Sequence, residues 1–151
     1  MLLRPRINMC EFKLFFYGTL RAAEIRSAIL GYDLPAGKLT DAVLENYQVR
    51  RVKGALYPLL VPAAGEKAKG LLATSLDRQA IQMLDQFEGH HYNRSALQVC
   101  TAAGFVEADV YLPDDTLLAA ESWDFDRWYK HDMTAFLQQD FRQEGVRPPT
   151  N

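Results

Sequence analysis

The stretch Phe12-Lys13-Leu14-Phe15-Phe16-Tyr17-Gly18-Thr19-Leu20 decides how this chain is read. Its apolar run, Phe12 to Tyr17, predicts a strand covered on both faces and therefore central in a sheet. Tyr17-Gly18-Thr19-Leu20 ends that run and opens a segment with helical spacing, Arg21–Leu30. A strand that turns on a glycine into a helix start exposes backbone N–H groups that no helical carbonyl satisfies. Those donors lie at the positive end of the helix dipole, where a carboxylate is as good a guest as a phosphate. Gly18 would let such a ligand approach the backbone closely. The plainer reading of the same four residues is a turn and nothing more.

Outward from this stretch the pattern mixes short strands with three helices. The first helix, Arg21–Leu30, carries Ile25, Ala28 and Ile29 on one side and stops at Gly31. Gly37–Val43 and Tyr47–Val52 read as separate strands, and Tyr57-Pro58 begins an extended piece whose Pro58 and Pro62 are barred from interior ladder positions. Ala68–Thr74 is a strand running into Ser75, which reads as the N-cap of a helix over Leu76–Glu88. Ser95–Thr101 and Phe105–Leu112 read as a hairpin around Ala102-Ala103-Gly104. Phe125–Phe141 reads as one last helix, with Phe125, Tyr129, Met133, Phe136 or Leu137, and Phe141 inward. Hairpin-like strands with few crossovers predict an α+β fold. Residues 12–141 are expected as a single domain, with 1–11 and 142–151 as loose termini.

On the helix ending at Glu88, the residues Leu76, Ala80, Ile81, Met83, Leu84 and Phe87 fill one apolar arc at about 100° per residue. Glu88 falls inside that arc, between the directions of Leu84 and Ile81, while Asp77 and Asp85 sit nearer its edges. A carboxylate among apolar groups is unfavourable without a partner or a task. Burial and the negative end of the helix should raise its pKa, which suits a general base. The competing reading is a glutamate at a fraying helix end, turned out to solvent.

Tyr17-Gly18-Thr19-Leu20 and Leu84-Asp85-Gln86-Phe87-Glu88-Gly89, with Tyr92 and Arg94 behind it, together resemble the gamma-glutamylcyclotransferase-like superfamily. The resemblance continues through Tyr57-Pro58-Leu59-Leu60-Val61-Pro62, Ala108-Asp109-Val110-Tyr111 and Trp123-Asp124-Phe125, and covers roughly Phe12 to Phe141. It is nearest the bacterial and plant branch related to avirulence-induced proteins. The resemblance implies a small mixed β-barrel with flanking helices. It also implies an enzyme that cyclises a small-molecule γ-glutamyl substrate to 5-oxoproline and releases an amine or amino acid, without metal or organic cofactor. Glu88 resembles the family's catalytic base, and Tyr17, Gly18, Thr19, Leu20 and Tyr111 its substrate-binding residues. The alternative is a non-catalytic small-anion-binding module of the same fold. Tyr92 and Arg94 read as anchors of the chain by stacking and ion pairing.

His90 and His91 beside Glu88 invite a metal reading, but adjacent side chains diverge in an extended segment and no spaced partner follows. Cys10 and Cys100 stand far apart with no metal or redox spacing, and read as reduced thiols. Apolar residues make up 48 % and charged residues 24 %, a globular composition with no run long enough for a membrane helix. A net charge of −2 argues against a nucleic-acid surface. The start, Met1-Leu2-Leu3-Arg4-Pro5-Arg6, lacks the apolar core of a secretory signal, so a cytoplasmic monomer or weak dimer is expected.

Overall fold

The apolar run becomes β1 (Phe12–Phe16), and its two faces enter different cores. Leu14 and Phe16 pack with the helices, whereas Phe15 and Tyr17 pack into the interior of a barrel. This is why the strand lacks polar alternation. The computed structural model describes residues 11–150; the lead-in 1–10, with Cys10, and Asn151 lie outside the described residues.

After β1 come α1 (Ala23–Leu30), β2 (Leu39–Val52), β3 (Pro58–Leu76), α2 (Arg78–Glu88), β4 (Tyr92–Thr101), β5 (Gly104–Pro113), β6 (Ala119–Ser122), α3 (Phe125–His131) and α4 (Met133–Gln139). Neighbour pairing runs β3-β1-β5-β4-β2, and β2 pairs back to β3, so five strands close a ring while β6 adds to β2. The ring is mixed because β1 runs parallel to β5, at Leu14 opposite Asp109, and every other pairing is antiparallel. Phe15, Leu44, Leu60, Leu72, Val99 and Val110 fill its interior. The expected α+β barrel with flanking helices is the observed architecture.

Several local expectations are corrected. Gly37–Val43 and Tyr47–Val52 are parts of one strand, β2, bent by a bulge at Asn46. Asn46 takes a left-handed φ of 68° and its side-chain Oδ1 accepts from Gly65 N, which absorbs the extra residue. Pro58 and Pro62 are inside the ladder, opposite Arg51 and Tyr47. They are tolerated because β1 pairs with β3 only from Leu71 onward, so this part of β3 has a free edge. Ser75 is still in β3; the cap of α2 is Asp77, whose Oδ1 accepts from Ala80 N at 2.8 Å. On α1, Ile25 and Ile29 are buried as expected, but Ala28 is exposed and Arg26 is buried in its place. The last helix is broken at Asp132 into α3 and α4. Trp128 and Phe136 are its buried anchors, and Tyr129 and Leu137 face solvent.

The terminal segment expected as loose makes a series of hydrogen bonds. Val146 N donates to Phe87 O at 2.8 Å, Arg147 N to Asp140 O at 2.8 Å and Thr150 N to Gly54 O at 2.9 Å. Tyr57 OH donates to Arg147 O at 2.8 Å. These bonds lay residues 145–150 along the end of α2 and the β2–β3 turn.

Candidate active site

The site begins where β1 ends. Past Tyr17 the chain enters a single 3-10 turn, Thr19–Arg21, closed by Arg21 N to Gly18 O and Ala22 N to Thr19 O, both 3.0 Å. The donors of these bonds come from Arg21 and Ala22, so the turn's own bonds do not consume the Gly18, Thr19 and Leu20 amides. Buried Arg26 holds the turn from behind, one guanidinium nitrogen donating to Leu20 O and Arg21 O at 2.8 and 2.9 Å. Gly18 stands immediately before this turn, where β1 meets β3. A Cβ there would stand 2.7 Å from Pro58 Cγ, so the glycine is required by the packing of the turn on β3. This packing is a reason for the glycine that the sequence alone does not show.

All six residues singled out in the sequence, Tyr17, Gly18, Thr19, Leu20, Glu88 and Tyr111, line one narrow apolar slot with a free volume of about 30 Å³. It adjoins a wider vestibule of about 830 Å³ bordered by Asp85, His90, His91, Arg94 and the terminal segment. Tyr57, Glu88, Tyr92, Tyr111 and Val146 belong to both spaces and so mark their junction. Tyr57, Pro58 and Val146 were not foreseen as site residues. Only the placement of Tyr57-Pro58 within the recurring motif signalled the first two, and nothing in the sequence signals Val146.

The phenols at the junction are committed to the protein. Tyr17 OH donates to Tyr111 O at 2.7 Å, Tyr92 OH to Pro58 O at 2.8 Å, and Tyr57 OH to Arg147 O. Tyr111 OH donates to Asp85 Oδ1 at 2.8 Å. Burial, and then the nearby Glu88 carboxyl, push the Tyr17 and Tyr111 phenols far above their ordinary range. Burial likewise raises Tyr57 and Tyr92. Each therefore stays protonated and can act only as a donor or a wall.

Glu88 differs from all of them. It closes α2, whose chain reverses at Gly89 with φ 84° and Gly89 N bonded to Asp85 O. The residue is half-buried and lines both spaces, and among the described residues no hydrogen bond or ion pair reaches its carboxyl. Desolvation first, and the Asp85 carboxylate one turn earlier second, push its pKa up to about 8. A carboxyl near 8 changes charge in the neutral range, as a proton-transferring group must.

Beside it runs a charged brace. Arg94 grips Asp85 with two bonds of 2.8 and 3.1 Å and reaches Asp109 at 2.7 Å. Arg94 thus ties α2, β4 and β5 together, in line with its expected anchoring role, and holds Asp85 where Tyr111 meets it. The rings of His90 and His91 do not diverge as expected; their centroids lie 4.2 Å apart. His91 Nδ1 sits 3.1 Å from Asp114 Oδ2. Among the described residues no group of three His, Cys, Asp or Glu side chains is placed to hold a metal ion, and no helix is long and apolar enough to cross a membrane.

Residues 14–128 match the family described as gamma-glutamyl cyclotransferase, AIG2-like. The chain belongs to this family. AIG2-like protein C of Arabidopsis thaliana is 29 % identical over 131 residues, 83 % of this chain and 74 % of that protein. A solution structure of another Arabidopsis thaliana protein superposes with a TM-score of 0.65 at 24 % identity, covering 85 % of this chain and 78 % of that one. A structure titled gamma-glutamyl cyclotransferase gives 0.60 at 14 % identity, covering 93 % and 90 %. These likenesses establish the fold. The AIG2-like segment contains every residue singled out in the sequence, whereas Val146 lies beyond it.

Proposed function

We propose that this chain is a cytoplasmic, cofactor-free γ-glutamyl cyclotransferase with Glu88 as its base. In this reading the γ-glutamyl group occupies the slot with its α-carboxylate on the amides of Gly18–Leu20. The α-amine then lies toward Glu88 and the leaving group extends into the vestibule. Glu88 removes a proton from the amine, whose nitrogen attacks the γ-carbonyl carbon and forms the C–N bond of a five-membered lactam. Collapse of the tetrahedral intermediate breaks the original amide bond, Glu88 returns the proton to the departing nitrogen, and the products are 5-oxoproline and a free amine. Attack is intramolecular, so the protein's task is to hold one rotamer of the substrate.

The observation that carries this reading is the Glu88 carboxyl, without a partner among the described residues and pushed up to about 8, at the junction of slot and vestibule. Its pKa is brought closer to that of an α-amine than an ordinary glutamate's is, which eases proton transfer between the two. The test is a panel of γ-glutamyl amides and γ-glutamyl amino acids assayed for 5-oxoproline. Saturable binding with no 5-oxoproline at any pH would identify a small-anion-binding module and sink the enzymatic reading.

A further inference from the structure

We infer that Val146, on the terminal segment, sets which leaving groups the site accepts; this rests on the cyclotransferase reading. Val146 borders both the slot and the vestibule, as does Glu88. Its backbone N–H bonds the carbonyl of Phe87, the residue before Glu88. The side chain therefore stands beside the base, where the scissile amide passes from the enclosed space to the open one. Tyr57, Tyr92 and Tyr111 share this border, but each is pinned by its own hydroxyl bond. Val146 is the aliphatic member, and its size can change without leaving a polar group unpaired.

The segment bearing it is fixed on both sides. Asp140, only 2 % exposed, accepts from Leu56 N through Oδ2 at 3.0 Å and from Arg147 Nε through Oδ1 at 3.1 Å. Tyr57 OH holds Arg147 O, and Thr150 N reaches Gly54 O. A wall held at this many points cannot swing aside for a bulky substrate, so its side-chain volume acts on selectivity. The two methyl groups of Val146 crowd the first carbon of the leaving amine. A carbon branched at that position meets them, whereas a straight methylene passes.

The experiment compares two isomeric probes, γ-glutamyl-n-butylamide and γ-glutamyl-sec-butylamide, by release of 5-oxoproline. Val146→Ala is expected to raise the kcat/KM ratio of branched over straight amide by about tenfold, chiefly through KM. Val146→Ile is expected to lower the same ratio while the straight amide still turns over. Thermal melting establishes that both variants are folded, which a half-buried aliphatic exchange of this size permits. A ratio unchanged in both variants, with the wild type active, overturns the role of Val146 and leaves the cyclotransferase reading standing. A wild type that makes no 5-oxoproline from these probes or from the panel of γ-glutamyl amides and amino acids overturns both.

Discussion

Glu88→Gln preserves size and polarity but removes the proton acceptor, so turnover should fall by about two to four orders of magnitude with the fold intact. Steady-state kinetics beside a melting curve checks this, and near-wild-type cyclisation by the Gln protein would refute it. Because Glu88 titrates near 8 in the folded chain against an ordinary 4.5, kcat/KM should rise with pH as it ionises. Stability moves the other way. Between those two values the folded protein holds a proton that the unfolded chain releases, so stability falls as pH rises through that window. Glu88→Gln abolishes this slope. It should therefore gain on the wild type by about 3 kcal/mol between pH 4.5 and pH 8, the full shift discounted for the open face of the residue. Denaturation at the two pH values measures it, and equal gains at both would mean that Glu88 is solvated. At the turn, Gly18→Val drives a Cβ against the Pro58 ring and should abolish turnover. Thr19→Ala leaves the backbone in place and should be mild. The reverse order in a kinetic comparison would show that the side chain of Thr19, and not the backbone, makes the site.

Among the elements, one buried carboxylate, Asp140, links α4, the β2–β3 turn and the terminal segment through its two oxygens. Asp140→Ala leaves Leu56 N without its acceptor and frees Arg147, which should cost about 3 kcal/mol in urea unfolding. A loss under about 0.5 kcal/mol would mean that the segment is held by its backbone bonds alone. The elements most legible in the sequence were those whose pattern is local. Phe12–Phe16 declared a strand covered on both faces, and the hairpin around Ala102-Ala103-Gly104 declared its turn. The apolar arc of α2 already carried Glu88 toward the interior. Features created by partners were not legible. Nothing within β2 shows that Asn46 can be absorbed as a bulge, since Gly65 on the neighbouring strand supplies the bond that permits it. The terminal segment has neither periodicity nor an apolar face, and is ordered by acceptors far earlier in the chain, at Gly54 and Phe87. The same limit applies to the slot: the turn and α2 were each visible alone, but their meeting is a property of the barrel.

For the whole molecule, closure of the barrel depends on β1 lying unusually near β3. A Cβ at Gly70 would stand 2.2 Å from Phe16 O and 2.8 Å from Phe15 Cζ. Gly70→Ala should therefore destabilise the protein by about 3 kcal/mol and, because Phe16 leads directly into Tyr17 and the turn, lower turnover as well. Unfolding curves and 5-oxoproline release from one preparation would check both, and a variant as stable as the wild type would disprove the close approach.

The hydrogen bond from Tyr17 to Tyr111 joins residues 94 positions apart, and that from Tyr57 to Arg147 spans 90. A chain emerging from the ribosome can build α1 and the β2–β3 ribbon early, but β1 has no parallel neighbour until β5 has been made. The wall beside Glu88 comes later still, with Val146. Loop closures of this length slow the search for the native state. Until Val146 has been made, the space beside Glu88 lacks this wall, although β1 already lies between β3 and β5.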